Sequence, residues 1–181
     1  MLLSAGLLDT LSLSYAFDLS SVSDFAMNPS LEVSQISQAG TNNVARIEQY
    51  TGFKNDTSPD IDHRSQYSDI TQQGAANYVE ALQEGHANIS VVRQQGNDNS
   101  VQVHQDGTGN SVSLYQSNSA SVLTISQVGS GNSIEVNQGG FSKASLTESG
   151  NNNSIKLSQR NNGSIQIRID GNNMSLNINQ N

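Results

Sequence analysis

The chain has 181 residues, a formal net charge of -8, 34% hydrophobic residues, 15 glycines, 2 prolines, and neither cysteine nor tryptophan. Without cysteine there are no disulfides or thiolate metal sites, and 8 basic against 16 acidic residues provide no basic stripe for nucleic-acid phosphates. The apolar content falls below the roughly 45–50% usual for soluble domains, which excludes a thick globular core and leaves room for one only one or two side chains deep.

Residues 1–30 form a leader or targeting segment with poor structural signal. The opening MLLSAGLL is apolar, but no Lys or Arg precedes it, and Asp9 and Asp18 break the apolar character beyond it, so it is not a complete signal peptide as written. No apolar run approaches the roughly 18 residues of a membrane-spanning helix. From residue 31 the pattern changes to alternation. A first unit ends on Ile36 and Gln38 and is followed by Gly40, and a second runs Asn43, Ala45, Ile47, Gln49. Residues 50–64 are degenerate: Asn55, Thr57, Pro59 and Ile61 fit the pattern loosely, and Pro59 lacks an amide donor.

Beyond this stretch, Gln72, Gln83, Gln94, Gln105, Gln116, Gln127 and Gln138 stand eleven residues apart. Before most of these Gln residues, alternate positions usually carry small or branched apolar residues, usually with Asn at the far end. The sets are Asn77, Val79, Ala81; Asn88, Ser90, Val92; Asn99, Val101, Val103; Asn110, Val112, Leu114; Ser121, Leu123, Ile125; and Asn132, Ile134, Val136. A period of two puts each set on one face of a strand. Gly74, Gly85, Gly96, Gly107 and Gly129 lie two residues after a Gln, as Gly40 does after Gln38, and they predict sharp turns requiring positive φ. Later the spacing slips. Glu148 replaces Gln and is followed by Gly150, Gln159 recovers with Asn153, Ile155 and Leu157, a unit ends on Ile169, and the last ends on Gln180.

Turns this short cannot carry a chain back to pair in parallel with its immediate neighbour. Consecutive strands must face each other across the core, and each must pair with the strand after next, one coil on. The predicted fold is therefore all-β: a two-sheet β-solenoid of strand-turn-strand coils with about 22 residues per coil and cross-β, amyloid-like stacking. Counting the degenerate unit ending at 61, fourteen strands are predicted. Asn and Ser at this density and an apolar period of two argue against helix.

Stacking places each amide over its equivalent. Gln and Asn both donate and accept, so each column can hydrogen-bond along the stack like a second backbone. The terminal members lack partners, as do the backbone edges of the terminal strands, so the ends are predicted to recruit further copies. With Gln180 one residue from the end of the sequence, no cap is expected. Candidate stacking residues are Asn43, Gln49, Gln72, Asn77, Gln83, Asn88, Gln94, Asn99, Gln105, Asn110, Gln116, Gln127, Asn132, Gln138, Asn153, Gln159 and Gln180. Glu80, Arg93, Gln102, His104, Tyr115, Glu135 and Lys156 alternate with the inward set and are assigned to the exterior.

The unit Asn99-Ser-Val-Gln-Val-His-Gln105-Asp-Gly107-Thr-Gly-Asn110, repeated at Asn132-Ser-Ile-Glu-Val-Asn-Gln138, resembles the curlin repeat of bacterial curli fibres, and the likeness spans residues 31–180. The resemblance implies a secreted structural subunit of an extracellular functional amyloid in a biofilm matrix, a fimbrium-like fibre on the cell surface with a place in adhesion. It implies export through the curli secretion pore with accessory proteins, and end-to-end partnership with itself or homologous curlin subunits. The irregular late repeats, with Glu148 and Ile169 in place of Gln and with Arg160 and Arg168 added, favour the minor, nucleating subunit and a possible attachment to the cell surface. The alternatives are the major fibre subunit and a soluble, non-amyloid β-solenoid binding module. No cofactor, metal or enzymatic activity is expected: His63, His86 and His104 have no triad or metal-site spacing, and no nucleic-acid partner is expected.

Overall fold

Polar and branched apolar residues alternate, and a corner of Gly, Asn, Ser or Ala interrupts each run. This pattern produces an all-β structure. The computed structural model describes residues 33–50, 66–160 and 162–180. The described residues contain thirteen strands and no helix: β1 (Val33–Thr41), β2 (Val44–Tyr50), β3 (Tyr67–Ala75), β4 (Tyr78–His86), β5 (Ile89–Gln95), β6 (Ser100–Thr108), β7 (Ser111–Ser117), β8 (Val122–Ser130), β9 (Ser133–Gly139), β10 (Lys143–Asn151), β11 (Ser154–Gln159), β12 (Ser164–Asp170) and β13 (Ser175–Gln180).

Odd-numbered strands form one seven-stranded sheet in the order β1-β3-β5-β7-β9-β11-β13, and even-numbered strands form a six-stranded sheet in the order β2 to β12. All pairings are parallel, so each strand bonds to the strand after next and consecutive strands face each other across the core. Gln94 pairs with Gln116 and Gln105 with Gln127, giving the predicted coil of 22 residues. Towards the C-terminus the interval becomes 21, as from Gln138 to Gln159.

The pairing of the first strands differs from expectation. Gln38 pairs with Gln72 and Gln49 with Gln83, each across 34 residues, so β1 lies directly against β3 and β2 directly against β4. Among the described residues no strand stands between them. The unit ending at 61 and the leader 1–30 lie outside the described residues.

The core is two side chains wide. Val101 and Val103 of β6 and Val112 and Leu114 of β7 are buried between the sheets, and the same pair recurs as Leu123 and Ile125, Ile134 and Val136, and Ile155 and Leu157. Burying one such side chain contributes roughly 1.5–3 kcal/mol. The thinness of the layer explains how the low apolar content suffices.

The corners differ from expectation too. Turns after β4, β6, β8 and β10 contain only two residues, such as Gly109 and Asn110, whereas the turn after β7 has four, Asn118 to Ser121. Gly40, Gly74, Gly85, Gly107, Gly129 and Gly150 are not turn residues but lie near the ends of β1, β3, β4, β6, β8 and β10; Gly96 alone of the predicted set lies in a turn. The sharp reversal falls to another left-handed residue, for example Ala87 with φ 54° or Asn152 with φ 55°.

Candidate functional site: the buried polar columns

Most inward faces are apolar in the middle and amide-bearing at both ends, with Ser68 and Ser90 at middle places and Ser121 and Ser142 at end places, so the coils stack four polar columns around an apolar centre. In the seven-stranded sheet, Gln38 donates through Nε2 to Gln72 Oε1 at 2.6 Å, and the chain continues through Gln94 (2.8 Å), Gln116 (2.9 Å), Gln138 (2.9 Å), Gln159 (3.1 Å) and Gln180 (3.2 Å). In the six-stranded sheet, Gln49 donates to Gln83 at 2.7 Å, Gln83 to Gln105 at 2.9 Å, Gln105 to Gln127 at 3.0 Å, and Gln127 to Glu148 Oε2 at 2.9 Å. Every donation in both columns runs from the N-terminal rung to the C-terminal one, so the columns are polar in the electrostatic sense; that of the seven-stranded sheet ends on the Gln180 amide, a donor, and that of the six-stranded sheet on the Glu148 carboxyl.

At Gln72, Gln83, Gln94 and Gln105 the second amide hydrogen is also used. Gln83 donates to the Tyr67 carbonyl at 3.1 Å, Gln94 to that of Tyr78 at 3.1 Å, and Gln105 to that of Ile89 at 3.0 Å. Each acceptor belongs to the opposite sheet, so the glutamines tie the two layers together as well as successive rungs. Burial of these four is tolerated because both hydrogens and the oxygen are engaged; an unsatisfied buried polar group would cost about 1–3 kcal/mol.

Asparagine acts differently from the expected side-chain ladder. Asn110 accepts the backbone N–H of Asn132 on Oδ1 at 3.1 Å and donates through Nδ2 to the Gly129 carbonyl at 3.0 Å. Asn88, Asn132 and Asn153 donate in the same way to Gly107, Gly150 and Gly171, while Asn43 and Asn77 donate to Gly74 and Gly96. Direct amide contacts are few, as between Asn99 Nδ2 and Asn77 Oδ1 at 3.1 Å. One methylene shorter than Gln, Asn keeps its amide beside the main chain and binds the corner of the next coil. The glycines make this approach possible. Gly107 has φ +120°, and a Cβ built there would collide with the carbonyl oxygen of Gly129 one rung on; Gly85 stands in the same relation to Gly107.

Of the seventeen predicted stacking residues, fifteen are buried, and Gln49 and Gln180 are half-buried. The sequence reasoning missed Gln66 and Ser142; Gln38 and Ser121, which it placed in the repeat, it did not count among the stacking residues. Gln66 takes the Asn place before Gln72 and donates to the carbonyls of Tyr50 and Gly85, each at 2.9 Å. Ser121 and Ser142 continue the column of Asn77 and Asn99, with hydroxyls donating to Gly140 and Gly139. Counting back six residues from Gln72 and from Glu148 would have found Gln66 and Ser142. Glu148 is fully buried, the one acidic or basic residue in the interior of the described residues, and Ile169 comes next in register, where the amide column ends. Burial pushes its carboxyl above the usual carboxylate range, partly offset by the hydrogen bond from Gln127.

The outer face is solvated and varied. Arg93, Gln102, Tyr115, Glu135 and Lys156 are exposed, and Glu80 and His104 are half-buried. Lys156 pairs with Glu135 at 2.8 Å. Among the described residues no group of His, Asp or Glu is placed to hold a metal ion, and His63 lies outside them.

Residues 96–140 match the family model of the curlin associated repeat. No curated protein and no solved structure matches the chain. The matched segment covers β6 to β9 and contains the regular centre of the Gln and Asn columns. The repeat and the solenoid together point to a structural protein and support a relation to the curlin family.

Proposed function

We propose that this chain is a structural subunit of an extracellular, curli-type functional amyloid and that it nucleates fibre assembly at a bacterial cell surface through the open ends of its solenoid. The observation that carries this reading is the one-way Gln column of the seven-stranded sheet, unbroken from Gln38 to Gln180. Among the described residues, β1, β2, β12 and β13 pair on one side only. Their free edges and the ends of the column offer an incoming coil the bonds that interior coils already make. A homologous subunit with the same coil would continue both. Under this reading the chain leaves the cell through a curli export pore with its accessory proteins and contributes to a biofilm matrix.

The nucleating role rests on asymmetry between the two sheets. One amide column is continuous, while the other gives way to Glu148 and Ile169. An irregular terminal region suits a chain that starts a fibre better than one repeated throughout it. Sub-stoichiometric chain added to a regular curlin-repeat partner should abolish the partner's lag phase, followed by thioflavin fluorescence and by fibre diffraction at the cross-β spacings. Bulk fibre formation by this chain without any seeding would assign it the major-subunit role. A folded monomer persisting for days at micromolar concentration, with no seeding, would reject assembly altogether.

A further inference from the structure

Glu148 occupies a position at which the four preceding rungs of its column, Gln49, Gln83, Gln105 and Gln127, carry an amide. Its Oε2 accepts from Gln127 at 2.9 Å, its Oε1 is buried without a partner, and the next residue in register is Ile169. At Gln83 and Gln105 the side-chain nitrogen supplies one hydrogen along the column and one to a carbonyl across the core. A carboxylate has no hydrogen to give in either direction. A protonated carboxyl regains one, and it sheds the charge that the interior cannot solvate.

Among the described residues no cation compensates. The inward residues of β8 are Leu123, Ile125 and Gln127, and those of β12 are Ile165, Ile167 and Ile169. Across the core, β9 presents Ile134, Val136 and Gln138, and β11 presents Ile155, Leu157 and Gln159. The charged residues of these elements and of β10, namely Glu135, Lys143, Lys156, Arg168 and Asp170, are all exposed on the outer faces, with Lys156 paired to Glu135 and Arg168 to Asp170.

We propose that Glu148 is a proton-operated lock on the late coils: protonated, it closes the contact of β10 with β8 and β12, and ionised, it loosens that contact. The device acts within one chain and holds whether or not the chain assembles. The raised carboxyl value agrees in sign. Because the folded state holds the proton more tightly, the stabilisation is full below the unfolded Glu value of about 4.3 and is lost as pH rises through the folded value.

Amide hydrogen exchange of β10 and β12 in the full chain, corrected for intrinsic rates, tests the lock between pH 5 and 8. In the parent chain, protection should fall with rising pH by up to about tenfold per unit until the folded value is passed. Glu148→Gln should remove this dependence and give greater protection at pH 8, while Glu148→Asp should keep the dependence. An unchanged slope in Glu148→Gln would assign the effect to exterior carboxylates and overturn the proposal. The carbon-13 carboxyl shift of Glu148 in the parent chain gives a second reading that needs no variant, and titration at the ordinary Glu value would also overturn it.

Discussion

Asn110 donates its side-chain N–H to the carbonyl oxygen of Gly129, 3.0 Å away and one rung on, and the same oxygen occupies the space that a Cβ on Gly107 would require. Hydrogen bond and steric exclusion are two aspects of one contact. The Asn column holds each corner against the next, and the Gly column keeps the corners close enough to be held.

Gly107→Ala should therefore be among the most damaging small substitutions. It forces a side chain into a positive φ and into the carbonyl of the neighbouring rung, so a loss of at least about 2 kcal/mol is expected in the urea-unfolding free energy. Gly109→Ala, at a corner where a Cβ would meet nothing within 4 Å, should cost about 1 kcal/mol through its φ alone.

Gln105→Ala removes the acceptor for Gln83, the donor for Gln127 and the donor for the Ile89 carbonyl. A loss of roughly 2–4 kcal/mol is expected from the orphaned groups and the cavity. Gln102→Ala, on the exposed face, should stay within about 0.5 kcal/mol. In a fibre-growth assay, Gln105→Ala combined with Gln116→Ala should slow elongation far more than Gln102→Ala.

Ser121 occupies an Asn place, and its backbone N–H donates to Asn99 Oδ1 at 3.1 Å. Ser121→Asn should extend the corner contacts by one rung and raise stability by about 0.5–1 kcal/mol, read as a shift in the urea midpoint.

Lys156→Ala should change stability by less than about 1 kcal/mol and remove little salt dependence, because both partners of the Lys156–Glu135 pair are more than half exposed. A denaturation series at two ionic strengths measures this.

The local sequence already carried the alternation, the inward set and the coil length. Val101, Val103 and Gln105 share a face because a strand has period two, and Gln105 to Gln127 spans two units because a short turn forbids pairing with the immediate neighbour. Those are short-range constraints and are legible residue by residue. Gln66 was concealed because it takes an asparagine place with a longer amide, and Ser142 because a hydroxyl there does part of the same work.

What the tertiary structure alone decided were the partners. Whether Gln38 lies over the unit ending at 61 or over Gln72 depends on which row matches in the stack, and Gln72 is 34 residues away. The one-way donation of the glutamines, the turning of the asparagines to glycine carbonyls and the isolation of Glu148 between Gln127 and Ile169 arise only when rungs are superposed. A residue's own chemistry and spacing set which way it faces; side-chain length and the register of distant segments set what it meets there.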